Sequence, residues 1–164
     1  MIEFKLDGNW PGVLVALRGL PVSLQAAAVW GQRKVAEGLV KKVKDHLKNQ
    51  DLNWPERSEQ YNAGDPRILI DTEAYFRAIQ AFKQGTTYYA GVKDNKYNAK
   101  GDRIVDYALM NELGGGNLPP RPLWGPSINE MGGAKGVKAI VVAAIFAKVS
   151  RLRALGFNVS VGKI

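Results

Sequence analysis

Cysteine is missing altogether from this chain, which excludes disulfides and thiolate metal centres. Histidine occurs once, at His46, among the lysines of a helical pattern. A lone imidazole with no thiol builds no zinc centre, and no nucleophile motif surrounds it. A surface or helix-end histidine is expected. Long apolar runs are lacking too. The most apolar stretch, 139–147, is closed off by Lys138 and Lys148 and falls far short of the roughly 20 residues that a membrane span needs. Residues 1–7 show no basic start followed by an apolar core, so a soluble protein without a secretory leader is expected. Acidic side chains stop at Glu130, whereas Lys135, Lys138, Lys148, Arg151, Arg153 and Lys163 follow it.

That one-sign C-terminal segment dominates a net charge of +8. It either attracts polyanions or keeps a solvated helix face soluble. A length of 164 residues suits one domain, spanning 1–164.

Residues 2–6 alternate Ile2, Phe4 and Leu6 with Glu3 and Lys5, the pattern of an edge strand. A long helix is expected over 23–47, with Ser23 as its cap. Its apolar positions Leu24, Ala28, Gly31, Val35, Leu39, Val43 and Leu47 step by threes and fours, and lysines and Arg33 fill the other side. Residues 49–65 read as a loop carrying Trp54-Pro55. Ile68-Leu69-Ile70 enter a second helix, capped by Asp71 or Thr72 and running to about Phe82, with Tyr75, Phe76, Ile79 and Phe82 inward. A strand is expected over 86–92, and a turn over 93–102. Residues 103–113 begin as strand and become a short helix that Gly114 ends. Ser127 and Glu130 have capping-box spacing and open the last helix, which bends at Gly132-Gly133 and stops at Gly156. Phe157, Val159 and Val161 alternate as a closing strand. The class is α+β: a small antiparallel sheet packed by a long N-terminal helix and a C-terminal helix.

Chemical motifs are few. Asp65, Asp71, Glu73, Asp102 and Asp106 match no calcium loop, and Asp71 and Glu73 are explained by the positive end of a helix. Residues 132–138 have the glycines and lysine of a phosphate loop, but no Gly-Lys-Ser/Thr follows. No catalytic residue, metal site or cofactor is expected, and the chain does not read as an enzyme.

What is plentiful is glycine and proline over 114–126. Gly114, Gly115 and Gly116 lead into Leu118-Pro119-Pro120-Arg121-Pro122-Leu123-Trp124, and Pro126 closes the stretch. Such a segment suits neither helix nor central strand. It is expected to be a stiff, extended arm that presents Arg121 and Trp124. A large ring on an exposed segment is an interface anchor; the other reading folds Trp124 back onto its own core.

The order of these motifs resembles that of tailed-bacteriophage virion-morphogenesis proteins of the neck or tail-completion type. The resemblance covers about 54–130. It rests on Trp54-Pro55, on Ile68-Leu69-Ile70-Asp71-Thr72 with Tyr75 to Ile79, and on the strand from Tyr88 to Val92. Tyr107-Ala108 with Glu112-Leu113-Gly114 and the Leu118 to Leu123 arm complete it. Family members commonly have glycine where this chain has Glu73, and phenylalanine where it has Leu123. The resemblance implies a structural virion protein of the head–tail junction, a homo-oligomeric ring, hexameric in the family, around the DNA channel. It would be found in the host cytoplasm during assembly and afterwards in the virion. It implies neck, tail-terminator and head-connector proteins as partners, with Tyr107, Glu112, Leu118, Pro119, Pro120, Arg121, Pro122, Leu123 and Trp124 at the interface. Leu118 to Trp124 would dock on the next subunit, with Arg121 pairing an acidic group there. Lys135, Lys138, Lys148, Arg151 and Arg153 become candidates for contacts with DNA or an acidic partner. A tail terminator is the close alternative, and a small basic nucleic-acid-binding module the distant one.

Overall fold

In a computed structural model, residues 22–56, 73–115 and 118–154 are described. Within them the chain is α+β, and one long helix organises it. That helix, α1 (Val22–Asn49), already includes Ser23, the expected cap. Of its expected apolar stripe Ala28, Gly31, Leu39, Val43 and Leu47 are buried, joined by Ala27 and Ala36, whereas Val35 is half-buried and the Leu24 side chain lies outside the described residues. Arg33, Lys34, Lys41 and Lys48 stand exposed on the other side. Val43 and Leu47 are wholly buried, each worth about 1.5–3 kcal/mol relative to exposure.

The hairpin comes next, after the short helix α2 (Ala74–Ala78). Strands β1 (Ile79–Gln84) and β2 (Thr87–Val92) pair antiparallel, with Ile79 opposite Val92 and Gln84 opposite Thr87. Gly85, at φ 60, supplies the left-handed residue of the two-residue turn. The expected helix to Phe82 is therefore corrected: it ends at Ala78. Tyr75, Phe76, Ile79 and Phe82 satisfy a helical period over too short a window to exclude a strand. Pairing along the whole of β2 decides for the strand, and Phe82 stacks on Tyr89 at 5.7 Å. The strand from the residue-86 region is present, as is the turn beyond it.

Beyond that turn, Arg103 makes a single bridge to Tyr97 before α3 (Ile104–Leu113) begins and Gly114 ends it. Two further helices follow the arm, α4 (Trp124–Glu130) and α5 (Gly133–Ala154). The expected break at Gly132-Gly133 is there, as a corner with φ of 86 and 61. The expected capping box is not. Ser127 lies inside α4, and its hydroxyl donates to the Leu123 carbonyl at 2.7 Å. The helix starts three residues earlier than the Ser127–Glu130 pattern suggests, because its first amide donors find an acceptor elsewhere in the chain.

α1 packs along α5, across both strands and against α4. It crosses α5 closely at Gly31, where a Cβ would stand 3.0 Å from the Val141 Cα and 3.1 Å from the Ala144 Cβ. One core joins Leu39, Val43 and Leu47 to Trp54, Tyr75, Ile79, Val92, Val105, Leu123 and Trp124. Among the described residues no helix is long and apolar enough to cross a membrane. The expected strands 2–6 and 157–161, the Ile68–Ile70 entry, the Asp71 or Thr72 cap and the Gly156 stop lie outside the described residues.

Candidate assembly interface

The described residues of the Pro/Gly arm are tied down at several points. Gly115 and Leu118 exchange two backbone hydrogen bonds, of 3.2 and 2.9 Å, and the Arg121 amide donates to the Asn111 carbonyl at 2.6 Å. At Gly114, φ 76, a Cβ would stand 3.1 Å from the Pro120 ring and 3.2 Å from the Leu118 carbonyl oxygen. Glycine is required there on both counts. The Trp54 indole N–H donates to the Pro122 carbonyl at 2.9 Å. Tryptophan-proline loop and arm are thus one unit.

Arg121 and Trp124 face inward, against expectation. Arg121 is only 6% exposed. Its guanidinium donates to the Pro55 carbonyl at 3.3 and 3.2 Å and reaches that of Glu56 at 3.5 Å. Backbone oxygens of its own chain are thus among its partners, where an acidic group of a neighbour was expected. Trp124 is 1% exposed and Leu123 fully buried. Their apolar area gains more in the core than in water, so presentation of these three residues to a partner is corrected. The fold-back reading of Trp124 is the right one.

Glu112 explains how the arm turns into a helix. Its carboxylate accepts from the amide of Leu123 at 2.8 Å and from that of Trp124 at 3.2 Å. These are the first orphan donors of α4, capped from another helix. Burial pushes the Glu112 carboxyl up, while the amides of Leu123, Trp124 and Gly125 work in the opposite direction. The carboxylate also favours the positive end of α4. Glu112 is therefore a tether within the chain.

Exposure lies beside the arm. Among the described residues, the exposed large hydrophobic side chains are Trp30, Tyr97, Tyr107, Leu109, Met110, Leu113, Leu118, Val142 and Phe146. Five of these fall between 107 and 118. Leu113 stands out at 70%. Tyr107 is held at the edge by a T-shaped contact with Tyr75 at 5.9 Å. Of the other expected interface residues, Pro120 and Pro122 are exposed and Pro119 is half-buried. Leu109, Met110 and Leu113 escaped sequence reading because α3 is apolar on two faces. The inward one, Ile104, Val105 and Ala108, accounts for the pattern without revealing the second.

The basic candidates divide. Lys135 and Lys138 are exposed one turn apart near the start of α5. Lys148 sits at a groove lined by Ala26, Ala27, Trp30, Ala144 and Ala147. These three do not form one row. Arg151 and Arg153 belong to α5, and their side chains lie outside the described residues.

His46 is a further correction. It is at a helix end, as expected, yet only 5% exposed. Its Nδ1 lies 2.6 Å from Asp51 Oδ1, and its Nε2 lies 3.3 Å from Glu130 Oε1. Lys42 also reaches Glu130, at 2.8 Å, and holds that carboxyl below its usual range. The cluster fastens the end of α1 to the end of α4. Among the described residues, no three metal-ligating side chains form a group able to hold an ion. Asp102 instead bonds Asn98, and Glu73 pairs with Arg77.

Comparison with family models, with curated proteins and with solved structures finds no match to this chain.

Proposed function

We propose that this chain is a structural component of the head–tail junction of a tailed phage, of the tail-completion type, acting as one copy in a ring rather than as an enzyme. One observation carries the reading: Leu109, Met110, Leu113 and Leu118 stand in water beside a rigidly anchored arm. Contiguous apolar exposure of this kind marks a surface that meets another protein. The tethered arm and α3 form a preorganised support, so little ordering entropy is lost when a partner docks. The order of motifs shared with virion-morphogenesis proteins supplies the kind of particle, the hexameric count and the neck, terminator or connector partners. Tyr107, Leu118, Pro120 and Pro122 remain proposed contacts. A ring around exiting DNA would place basic side chains, Lys135 and Lys138 among them, near phosphates without base-specific contact.

Mass measurement of the purified protein, alone and with tail or connector extracts, tests this. The expected result is a closed multi-copy species or a stable complex with a neck component. Binding to a terminator-type position at the end of the tail tube would move the chain to that role. The net charge of +8 favours a second reading, a small nucleic-acid-binding module. A monomer or dimer that binds free duplex with steep salt dependence, and joins no particle component, would establish that reading instead.

A further inference from the structure

His46 is buried with an acid at each ring nitrogen. Nδ1 lies 2.6 Å from Asp51 Oδ1, in the loop that leaves α1, and Nε2 lies 3.3 Å from Glu130 Oε1, at the end of α4. Nε2 is shut off from solvent and makes no aligned hydrogen bond, so its contact with Glu130 is one of charge. A neutral imidazole carries a single N–H, whereas the imidazolium donates from both nitrogens. In either neutral tautomer a buried lone pair is left against a carboxylate. Only the charged ring offers a proton to both sides.

The other charges nearby act through Glu130. Lys42, one turn earlier on α1, reaches that carboxylate at 2.8 Å, and Asp45 acts on Lys42 in turn. Lys42 first, and His46 after it, hold the Glu130 carboxyl below its usual range, so it stays charged where histidine titrates. Lys44 and Lys48 lie over the Phe76 ring instead.

Both neighbours of the ring support the arm. The Asp51 loop continues into Trp54, Pro55 and Glu56, whose indole N–H and carbonyls hold Pro122 and Arg121. Glu130 closes α4, which begins at Trp124, where the arm ends.

We propose that His46 is a proton-operated clasp: its charged ring joins the Asp51 loop and α4 to the end of α1, and loss of the proton releases α4. Asp51, at 2.6 Å, keeps the remaining N–H, and Glu130 is then held by Lys42. Histidine changes charge between about pH 5 and 8. The arm is therefore held most firmly on the acid side of that range and loosens as pH rises. The clasp lies within one copy and does not depend on ring assembly.

His46 is the only histidine, so in protein prepared without a histidine tag its ring NMR signals are read directly. Through about pH 5 to 9, the ring nitrogens should go from two protons to one. The Trp54 indole N–H signal, assigned with Trp54→Phe, should shift with the same midpoint. Asp51→Asn and Glu130→Gln should each let the ring lose its proton about half a pH unit or more earlier. In His46→Gln, which cannot titrate, the Trp54 shift over this range should vanish. A ring that titrates while Trp54 stays still would overturn the clasp, and the parent protein alone decides this if a variant fails to fold. An unmoved midpoint in both carboxylate variants, or the same Trp54 shift in His46→Gln, would overturn it as well.

Discussion

Two neighbouring stretches, α3 from Leu109 to Leu113 and the arm from Arg121 to Trp124, exchange the roles that composition suggests for them. The arm looks like the presenting element, since it is rich in proline and carries an arginine and a tryptophan. It is instead firmly fastened to its own chain, held by the Pro55 and Glu56 carbonyls, the Trp54 indole and the Glu112 carboxylate. α3 reads only as a short helix ended by Gly114, yet it leaves Leu113 70% exposed. Proline and glycine specify backbone shape and say nothing about which side of that shape meets water. Burial is decided by what packs against a segment, and for the arm that is Trp54-Pro55, far away in sequence.

This contrast can be broken by substitution. Trp124→Ala should have the largest effect, a loss of about 3–5 kcal/mol in folding stability by denaturant titration. An interface-only tryptophan would leave the isolated chain's midpoint nearly unchanged. Gly31→Val should come next, at about 1–3 kcal/mol, because the new side chain meets the α5 backbone. On the other side of the comparison, Leu113→Ser should shift stability by no more than about 0.5 kcal/mol yet reduce the assembled fraction sharply in sedimentation. Loss of folding with unchanged assembly would invert the assignment.

A smaller effect concerns the tether. The folded state raises the Glu112 carboxyl above its usual value. Protonation therefore favours folding, and the stability from this group is fully present at acid pH and lost as pH rises through the folded value. Glu112→Gln, which cannot titrate, should therefore be more stable relative to the parent at pH 7 than it is at pH 4. Glu37 and Glu130, both lowered by their Arg33 and Lys42 partners, act in the opposite direction in both proteins and cancel. A difference that grows on acidification would show the amide cap outweighing burial.

Periodicity made the α1 stripe legible in the sequence, β-branched and aromatic composition β2, and glycines the end of α3 and the Gly132-Gly133 corner, because each is specified within its own few residues. The β1 strand was hidden, since its apolar positions fit a helix until the partner strand is known. The α4 cap was hidden for a related reason. Its acceptor is Glu112, eleven residues before Leu123, and no local capping motif spans that distance. The helix-end place of His46 was legible but its burial was not, because its neighbours in sequence are lysines, whereas its neighbours in space are Asp51 and Glu130. Glu73 adds a position where shape and residue type disagree. It holds φ 52 before α2, a left-handed conformation that glycine adopts without steric cost. Glu73→Gly should cost little or stabilise slightly, the exposed pair with Arg77 being worth almost nothing.

Hydroxyl-radical footprinting of the free chain against its assembled form separates the two stretches in a single experiment. Met110 and Leu113 should react strongly in the free protein and become protected on assembly, while Trp124 stays protected in both. If Trp124 reacts in the free chain and is shielded only after assembly, the arm is the docking element and the assignment made here is wrong.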